Sequence, residues 1–439
     1  MIELTQEQLQ AIGFVEVNLP VAGIVAISGP AGSGKTTLTK QLIRVLEERH
    51  DVVTCAPTNK AALVLRSKGI EDAITLHSAC LRPKFGPPLD KLATFLEQAE
   101  QTDGNHSFNN EDKCMYCGYI LETDPGSNTY CPKNQVVFTK ALLEQFQKPK
   151  LEEAISTLRR TGMCAALRGL GIKDIFKYIE CWVSATPQDR NTILIIDEAS
   201  MVGQEQLDRA KEVFQKIVMI GDEYQLPPVK GEKAFWAVKD RFALKQIHRQ
   251  ALGSQPLRIC TAIRNGEAVA PTPTQAIDVN LSRGGIPVIV WKNTTRVQLT
   301  LDIREKLGHA NKPPQVGEIL VCRNGSDKIA KNRGLINNTS WEVVESDGYV
   351  CTLESEDGLQ VLEDEHVFME ELERGDGTPF RFGYAITAHS AQGSQWSKVM
   401  VHAPDARAFH HKSREEAKHW LYTAASRAEN QVLWVNEVA

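Results

Sequence analysis

The segment Gly29-Pro30-Ala31-Gly32-Ser33-Gly34-Lys35-Thr36 constrains the fold of this chain more than any other. It has the spacing G-x-x-x-x-G-K-[ST], and it lies between a short apolar run at 23–28 and a helix-like stretch. A strand, a glycine loop and a helix in this order bind phosphate, because glycines let backbone N–H groups converge on phosphate oxygens at the positive end of the helix. We therefore predict that this loop and Thr37 bind a nucleotide, that Lys35 contacts its β- and γ-phosphates, and that Thr36 holds Mg²⁺.

Two carboxylates follow a second apolar run. Ile193 to Ile196 predicts a buried parallel strand, which would deliver Asp197 and Glu198 to the sheet edge where open α/β folds bind ligands. We expect Asp197 to hold Mg²⁺ through water and Glu198 to orient and deprotonate the attacking water. The alternative is that the two carboxylates cap the following helix.

The pattern of strands and helices predicts an α/β fold with two parallel-sheet domains. Short apolar strands at 52–56, 192–196 and 217–220 alternate with helical segments, and a second α/β pattern begins near Gln246. A polar, cysteine-containing stretch interrupts the first pattern, and β-like runs interrupt the second. The predicted limits are 1–80 and 185–245 for the first domain, 81–184 for its insertion, 246–312 and 378–439 for the second domain, and 313–377 for its insertion.

Composition narrows the class of protein. At roughly 100–200 residues per domain, the 439 residues predict two to four domains. No run approaches the ~18 uncharged apolar residues of a membrane span, and the N-terminus lacks signal-peptide features, so we expect an intracellular protein without membrane contact. Its ten cysteines are then thiols or metal ligands. The net charge of −5 gives no sign of nucleic-acid binding.

Five further segments resemble the motifs of superfamily 1 helicases in order and spacing, most closely those of the RecD/Dda-like branch, superfamily 1B. They are 56–62 (APTNKAA), 75–78 (TLHS), 221–229 (GDEYQLPPV), 387–393 (TAHSAQG) and 422–427 (YTAASR). The resemblance implies two RecA-like domains, 1A and 2A, with ATP bound between them. It also implies that the first insertion is a 1B subdomain and that the second, β-rich insertion is a 2B subdomain with an SH3-like fold.

The resemblance assigns further residues to the ATP site. Gln8 matches a glutamine that reads adenine, and Gln225 matches one that senses the γ-phosphate and couples it to the DNA groove. Arg249 and Arg427 match arginines that reach the γ-phosphate from the second domain, a task that suits the planar, always charged guanidinium. The alternatives are a solvent-exposed glutamine at position 8 and surface ion pairs for the two arginines.

Single-stranded DNA is the partner that the resemblance implies. The matching residues are Pro57, Thr58, Asn59, Lys60, Thr75, His77, Thr387, His389 and Ser390. Hydroxyl, amide and backbone groups contact phosphates without recognising sequence, although either histidine could instead be a core or capping residue. Ser390 departs from the lysine that is usual in the family, and Gln395 departs from the usual glutamate. Phe235 and Trp236 could stack on bases, but core packing is the favoured interpretation.

The first insertion contains a candidate zinc site. Cys114 and Cys117 have the C-x₂-C spacing of a zinc knuckle, and Cys131 begins a similar segment whose final cysteine is replaced by asparagine. The fourth Zn²⁺ ligand stays open among His106, Cys80, Cys164 and Cys181. The alternative is a decayed site or free thiols.

Three functions agree with these features. The first is an ATP-dependent DNA helicase moving 5′ to 3′ on single strands, with the polarity implied wholly by the resemblance. The second is an RNA-directed NTPase, and the third is a DNA-binding accessory subunit in recombination or replication. We expect a monomer from a bacterial or phage-type context that binds single-stranded DNA and duplex junctions. Replication or recombination proteins could dock on the insertions.

Overall fold

The structure is a computed structural model that describes most of the chain outside one long internal segment. The described residues are 4–85, 180–228, 231–247, 253–267, 275–283, 285–310, 312–323, 335, 338–346, 350–355, 360–364 and 380–438. The chain divides into two compact units, one formed by Met1–Cys80 with Thr186–Ala439, the other by Leu81–Ala185.

The first half of the larger unit is built on a six-stranded sheet. In chain order the elements are α1 (Gln6–Ala22), β1 (Ile24–Ser28), α2 (Lys35–Glu47), β2 (Asp51–Ala56), α3 (Asn59–Ser67), β3 (Ile74–Thr75), α4 (Leu76–Cys80), then β4 (Leu81–Phe85) and β5 (Glu180–Ser184) of the smaller unit, then β6 (Thr192–Ile196), a 3₁₀ turn (Ala199–Met201), α5 (Gln204–Val213), β7 (Lys216–Gly221), α6 (Ala234–Ala237) and β8 (Arg241–Ala243). The strand order is β3-β2-β6-β7-β1-β8, and every neighbouring pair is parallel.

Burial explains why these apolar runs form strands. All five residues of β6 are buried, and Ile193 and Ile195 share a core with Leu38 and Leu42 of α2 and with apolar residues of α1. Strands that are buried in this way lack the polar alternation of a half-exposed sheet, as the sequence pattern indicated. Because β1 and β6 are parallel members of one sheet, the glycine loop after β1 and the carboxylates after β6 leave the sheet at the same edge.

The second half of the larger unit contains a five-stranded parallel sheet. Its elements are α7 (Gln255–Arg264), β9 (Gln275–Ile277), α8 (Val279–Arg283), β10 (Val288–Val290), α9 (Asn293–Lys306), β11 (Ile319–Cys322), β12 (Ser340–Ser346), β13 (Val350–Ser355), β14 (Gln360–Asp364), β15 (Phe380–Phe382), β16 (Ala385–Thr387), α10 (Ala388–Ala391), β17 (Trp396–His402), α11 (Ala403–Lys412), α12 (Arg414–Ala425) and β18 (Ala428–Val438). The parallel sheet has the order β16-β10-β17-β18-β9.

The remaining strands of this half form an antiparallel sheet in the order β14-β13-β12-β11-β15. It shares a hydrophobic core with the parallel sheet, to which Trp341 and Phe380 contribute from one side and Val288 and Val435 from the other. β15 extends this sheet to Phe382. Glu318, just before β11, is fully buried and accepts hydrogen bonds from the Arg304 guanidinium at 2.9 Å and the Tyr384 hydroxyl at 2.7 Å.

In the smaller unit, β4 and β5 pair antiparallel, with Leu81 opposite Ser184 and Phe85 opposite Glu180. None of the helices among the described residues combines the length and apolar character that crossing a membrane requires.

Candidate active site

The glycine loop after β1 has a backbone that only glycine tolerates at several points. Gly32 and Gly34 have positive φ angles of 80° and 76°. A Cβ atom on Gly29 would lie 2.5 Å from the Ser33 hydroxyl oxygen, so that turn has no room for a side chain. The loop therefore turns tightly and leads directly into α2, which starts at Lys35 after the left-handed Gly34.

The ammonium group of Lys35 lies against its own loop. Its Nζ donates to the carbonyl oxygens of Gly29 at 2.6 Å and Pro30 at 3.1 Å, and it lies 3.6 Å from Oδ2 of Asp222. Asp222 follows β7 directly and is fully buried. Asp222 is not among the residues predicted to act at the site, although an acidic residue immediately after a buried strand at this edge is a signal that identifies such a position.

Asp197 and Glu198 follow β6, at the same edge. Oδ1 of Asp197 accepts a hydrogen bond from the Glu198 amide at 2.9 Å. Burial, reinforced by the neighbouring Glu198 charge, raises the pKa of Asp197 to about 6, and Lys35 and Lys68 partly oppose this shift. Glu198 has a left-handed backbone with φ of 51°, a conformation that costs a non-glycine residue about 1 kcal/mol. Neither carboxylate caps a regular α-helix, because a 3₁₀ turn follows them.

These residues line a cavity of about 330 Å³. From the first half of the larger unit its walls include Pro30, Ala31, Gly32, Gly34, Lys35, Thr36, Thr37, Lys68, Asp197, Glu198 and Gln225. From the second half they include Gly393, Gln395, Ser426 and Arg427. The structure thus brings most of the predicted nucleotide-binding residues together, and it adds Lys68, which sequence reasoning missed because it lies outside every motif.

The cavity contains buried polar atoms that suit a ligand. Within the described part of the chain, Oε2 of Glu198 and Oε1 of Gln225, two residues that line the cavity, are buried without a hydrogen-bond partner, as is Oγ of Ser33 in the glycine loop. Leaving such groups unpaired costs about 1–3 kcal/mol each, which a polar ligand would recover. A glycine loop and a lysine suit the phosphates of a nucleoside triphosphate, and two adjacent carboxylates suit its divalent cation.

Arg427 enters the cavity just after α12. Its side chain is buried and donates to neutral oxygens: the Thr423 carbonyl at 3.2 Å, the Ser394 carbonyl at 3.4 Å and the Ser426 hydroxyl at 2.9 Å. A surface ion pair is therefore the wrong interpretation of Arg427. Arg249 lies outside the described residues, and its predicted role stays a prediction.

Gln8 is also buried, so the solvent-exposed alternative is wrong for this residue. Its side-chain oxygen accepts from the Thr5 amide at 3.0 Å, which completes a capping box at the start of α1. Its side-chain nitrogen donates to the Gly34 carbonyl at 3.3 Å. Gln8 is therefore held beside the glycine loop by a local helix cap.

The two parallel-sheet halves of the larger unit contact each other beside the cavity. The Leu226 amide donates to the Thr423 hydroxyl at 2.8 Å, and its carbonyl accepts from the Gln392 side chain at 3.1 Å. Gly393, with φ of +77°, lies so close to Ala61 that an added Cβ would be 3.2 Å from the Ala61 Cβ. The two halves are therefore in direct contact at Ala61 and Gly393, which both line the cavity, and at Leu226.

The residues predicted to contact DNA lie where parallel strands end. Thr58 after β2, Thr75 in β3 and Thr387 in β16 each accept a hydrogen bond from an amide three residues later, at 3.2, 3.1 and 3.4 Å. These hydroxyls therefore cap the short helices α3, α4 and α10. Pro57, Asn59, Lys60, His389 and Ser390 are half-buried, and His77 is exposed. Burial lowers the pKa of His389, which favours a neutral imidazole.

Core packing, the favoured interpretation for Phe235 and Trp236, is confirmed for Phe235. Phe235 is fully buried and therefore belongs to the core. The guanidinium carbon of Arg241 lies 4.8 Å from the centroid of the Phe235 ring. Trp236 is half-buried and packs edge-on against Phe235.

The predicted zinc ligands Cys114, Cys117, Cys131 and His106 lie outside the described residues, so the zinc site stays a prediction. Across the described ranges, no group of three or more His, Cys, Asp or Glu side chains is arranged to hold a metal ion. Cys55, Cys80, Cys260, Cys322 and Cys351 are buried thiols.

Comparison with known proteins agrees with this architecture. A family model described as an AAA domain matches residues 15–231, and one described as the UvrD-like helicase C-terminal domain matches residues 382–435. The ATP-dependent RecD2 DNA helicase of Deinococcus radiodurans is 23% identical over 273 residues, which span 54% of this chain and 35% of that protein. The ATP-dependent DNA helicase dda of phage T4 is 37% identical over 81 residues, 18% of each chain.

Among solved structures, one of Pif1 helicases at forked double-stranded DNA covers 99% of this chain and 92% of its own chain, with 18% identity and a TM-score of 0.50. This likeness concerns the fold. The chain spans about a third of the length of RecD2 and less than a fifth of Dda.

The fold and the cavity define a P-loop protein with two parallel sheets. Both family models and the matches to RecD2 and Dda support a superfamily 1 helicase of the RecD/Dda-like branch 1B.

Proposed function

We propose that this protein is an ATP-dependent DNA helicase that moves 5′ to 3′ along single-stranded DNA and unwinds duplex ahead of it. The observation that supports this most is the shared cavity, in which Lys35, Asp197 and Glu198 of the first domain face Arg427 of the second. A site built from two domains can link hydrolysis to a change in the distance between them.

ATP would bind with its phosphates on the amides of the glycine loop and at the N-terminus of α2. Lys35 would turn from the Gly29 and Pro30 carbonyls to the β- and γ-phosphates. Thr36 and Asp197 would hold Mg²⁺, which when bound neutralises phosphate charge. Gln8 would contact the adenine from its position beside Gly34.

Hydrolysis would use Glu198 as the base that orients the attacking water and accepts its proton. Gln225, whose buried side-chain oxygen has no hydrogen-bond partner among the described residues, is suited to contact the same water or the γ-phosphate. Arg427, together with Arg249, would neutralise charge that develops on the γ-phosphate, a contribution of about 10³–10⁵ in rate for such arginines.

The DNA strand would cross the capped ends of α3 and α4 in the first domain and of α10 in the second. First-turn amides of a helix have no partner within the helix, and Lys60 adds positive charge, so this surface suits phosphates without selecting sequence. Opening and closing of the ATP cavity would move one group of contacts relative to the other along the strand.

We also propose the domain limits predicted from the sequence, with RecA-like domains 1A and 2A, a 1B insertion at 81–184 and an SH3-like 2B insertion at 313–377. The antiparallel sheet that ends at Phe382 supports a β-rich 2B insertion. Zinc on Cys114, Cys117 and Cys131, a monomeric and intracellular state, and docking of replication or recombination proteins on the insertions belong to the same proposal.

The decisive experiment measures ATPase rate with single-stranded DNA and with single-stranded RNA, and unwinding of duplexes tailed at the 5′ or the 3′ end. Stimulation by DNA and unwinding of 5′-tailed duplex are expected. Unwinding of 3′-tailed duplex alone would refute the polarity. Stimulation by RNA alone would favour an RNA-directed NTPase, and DNA binding without hydrolysis would favour an accessory subunit.

A further inference from the structure

The hydroxyl of Tyr422, a residue of α12, is hydrogen-bonded to the glycine loop. The hydroxyl oxygen accepts a hydrogen bond from the Ala31 amide at 2.7 Å and donates one to Oδ2 of Asp222 at 2.7 Å. Tyr422 is 1% exposed, and most residues of the hydrophobic core in which it packs belong to the second half of the larger unit. One hydroxyl of the second domain therefore touches two elements of the phosphate site in the first.

The directions of these hydrogen bonds follow from chemistry. An amide nitrogen can only donate, so the phenol oxygen accepts from Ala31. Burial, together with the charge of Asp222, raises the pKa of Tyr422 well above its usual value, so the hydroxyl keeps its proton and donates it to the carboxylate. The same carboxylate oxygen lies 3.6 Å from Nζ of Lys35. Tyr422 would thus keep Asp222 partnered when Lys35 turns to a nucleotide.

Tyr422 also lies five residues before Arg427, near the end of α12. Between them, the Thr423 hydroxyl accepts from the Leu226 amide at 2.8 Å, and the Thr423 carbonyl accepts from Nε of Arg427 at 3.2 Å. On the preceding turn of α12, Nδ1 of His419 lies 3.0 Å from the carbonyl oxygens of Tyr224 and Gln225. The end of α12 is therefore fixed to the loop that contains Gln225, and the Tyr422 hydroxyl is the contact that ties it to the glycine loop itself.

We propose that Tyr422 is a positioning residue for catalysis: its hydroxyl holds the end of α12 on Ala31 and Asp222, and thereby sets where Arg427 meets the γ-phosphate. This inference rests on the proposed ATPase function. It assigns Tyr422 no contact with the reacting atoms. The Tyr422 hydroxyl should consequently stabilise only the transition state of ATP hydrolysis, where Arg427 acts. Its effect on the rate should disappear when Arg427 is replaced.

The test compares Tyr422→Phe in two backgrounds, wild type and Arg427→Gln, with melting temperature confirming that each variant folds. In the wild-type background we expect the kcat of DNA-stimulated ATP hydrolysis to fall about tenfold, with KM for ATP changed less than about threefold. Affinity for a fluorescent ADP should be unchanged, whereas affinity for ADP with aluminium fluoride should fall by the same factor as kcat. In the Arg427→Gln background, Tyr422→Phe should cost less than about twofold.

Tyr384→Phe is the matched control, because it also removes a buried hydroxyl that donates to a carboxylate, at Glu318, away from the cavity. It should lower the melting temperature without changing kcat or either affinity. Equal losses from Tyr422→Phe in both backgrounds, or an equal loss of ADP affinity, would overturn the proposal and leave Tyr422 a packing residue. An absence of hydrolysis by the wild-type protein would instead refute the proposed function on which the inference rests.

Discussion

Nζ of Lys35 lies 3.6 Å from Oδ2 of Asp222. The same Nζ donates hydrogen bonds to the carbonyl oxygens of Gly29 and Pro30 in the glycine loop. The Lys35 ammonium group therefore lies beside the position where phosphates would bind, and the Asp222 carboxylate balances its positive charge. Lys35→Ala should reduce ATP hydrolysis by at least about 10²–10³ and weaken fluorescent ATP binding, because the phosphates lose their nearest cation. Arg44→Ala removes an exposed cation from the same helix and should leave both measurements unchanged. Similar effects of the two substitutions would contradict the role of Lys35.

Glu198→Gln should separate binding from chemistry. The amide keeps the size of the side chain but cannot accept a proton, so kcat should fall by about 10²–10⁴ while ATP affinity stays within a few-fold. Glu205→Gln, an exposed residue on α5, is the control and should have no effect. Retention of wild-type kcat by Glu198→Gln would assign the base to another residue.

The raised pKa of Asp197 predicts a pH dependence of Mg²⁺-assisted nucleotide binding. A carboxyl with pKa of about 6 is ionised above that pH and protonated below it, so the Mg²⁺ contribution should be lost as the pH falls through about 6. At pH 5, ADP affinity in Mg²⁺ should be about tenfold weaker than at pH 7, measured by fluorescence titration. The same titration in EDTA is the control and should change little over this range. A Mg²⁺ effect that is constant from pH 5 to pH 8 would disprove the assignment.

Gly393 tests the contact between the domains. Gly393→Ala places a methyl group 3.2 Å from the Ala61 Cβ and also forces a non-glycine residue to a φ of +77°. Gly308→Ala has the same backbone problem at φ of +73° with nothing within 4 Å of the new Cβ. Both should destabilise the protein by about 1–2 kcal/mol in chemical denaturation. Only Gly393→Ala should raise the KM for ATP, because only it separates the walls of the cavity.

Lys60 tests the DNA surface. Lys60→Ala should weaken binding to single-stranded DNA of any sequence and reduce the slope of log affinity against log salt by about 0.7. Lys211→Ala, an exposed lysine that pairs with Asp208 on α5, should leave the slope unchanged. A loss of affinity with an unchanged slope would mean that Lys60 acts through the fold and not through a phosphate.

The local parts of this site could be predicted from the sequence because they depend on neighbours along the chain. The apolar run at 192–196 coincides with β6, and the glycine loop leads into a helix that begins at Lys35, since strand burial and glycine geometry are encoded within a few residues. Tyr422 and Asp222 show what is not encoded locally. They lie 200 residues apart, and their hydrogen bond exists only because two domains pack together.

Gln8 and Thr387 show a second limit. Each is predicted to contact a ligand, Gln8 the adenine and Thr387 the DNA. Each side chain also caps a helix, because Ser, Thr and Gln side chains accept hydrogen bonds from neighbouring amides as readily as they contact ligands. A pattern of residue types cannot distinguish the two uses. The structure shows that both side chains have a local partner, and the proposed contacts would have to coexist with or replace it.

The pairing of β4 with β5 has a consequence for how such chains diversify. Because Leu81 and Ser184 are paired on adjacent strands, the two ends of the inserted segment lie next to each other. The number of residues in that segment can then change without altering the strand pair, since each doubling of the length of a closed loop costs only about 0.6 kcal/mol. A short hairpin turn or a longer insertion can occupy the same two attachment points while the parallel sheets keep their sequence.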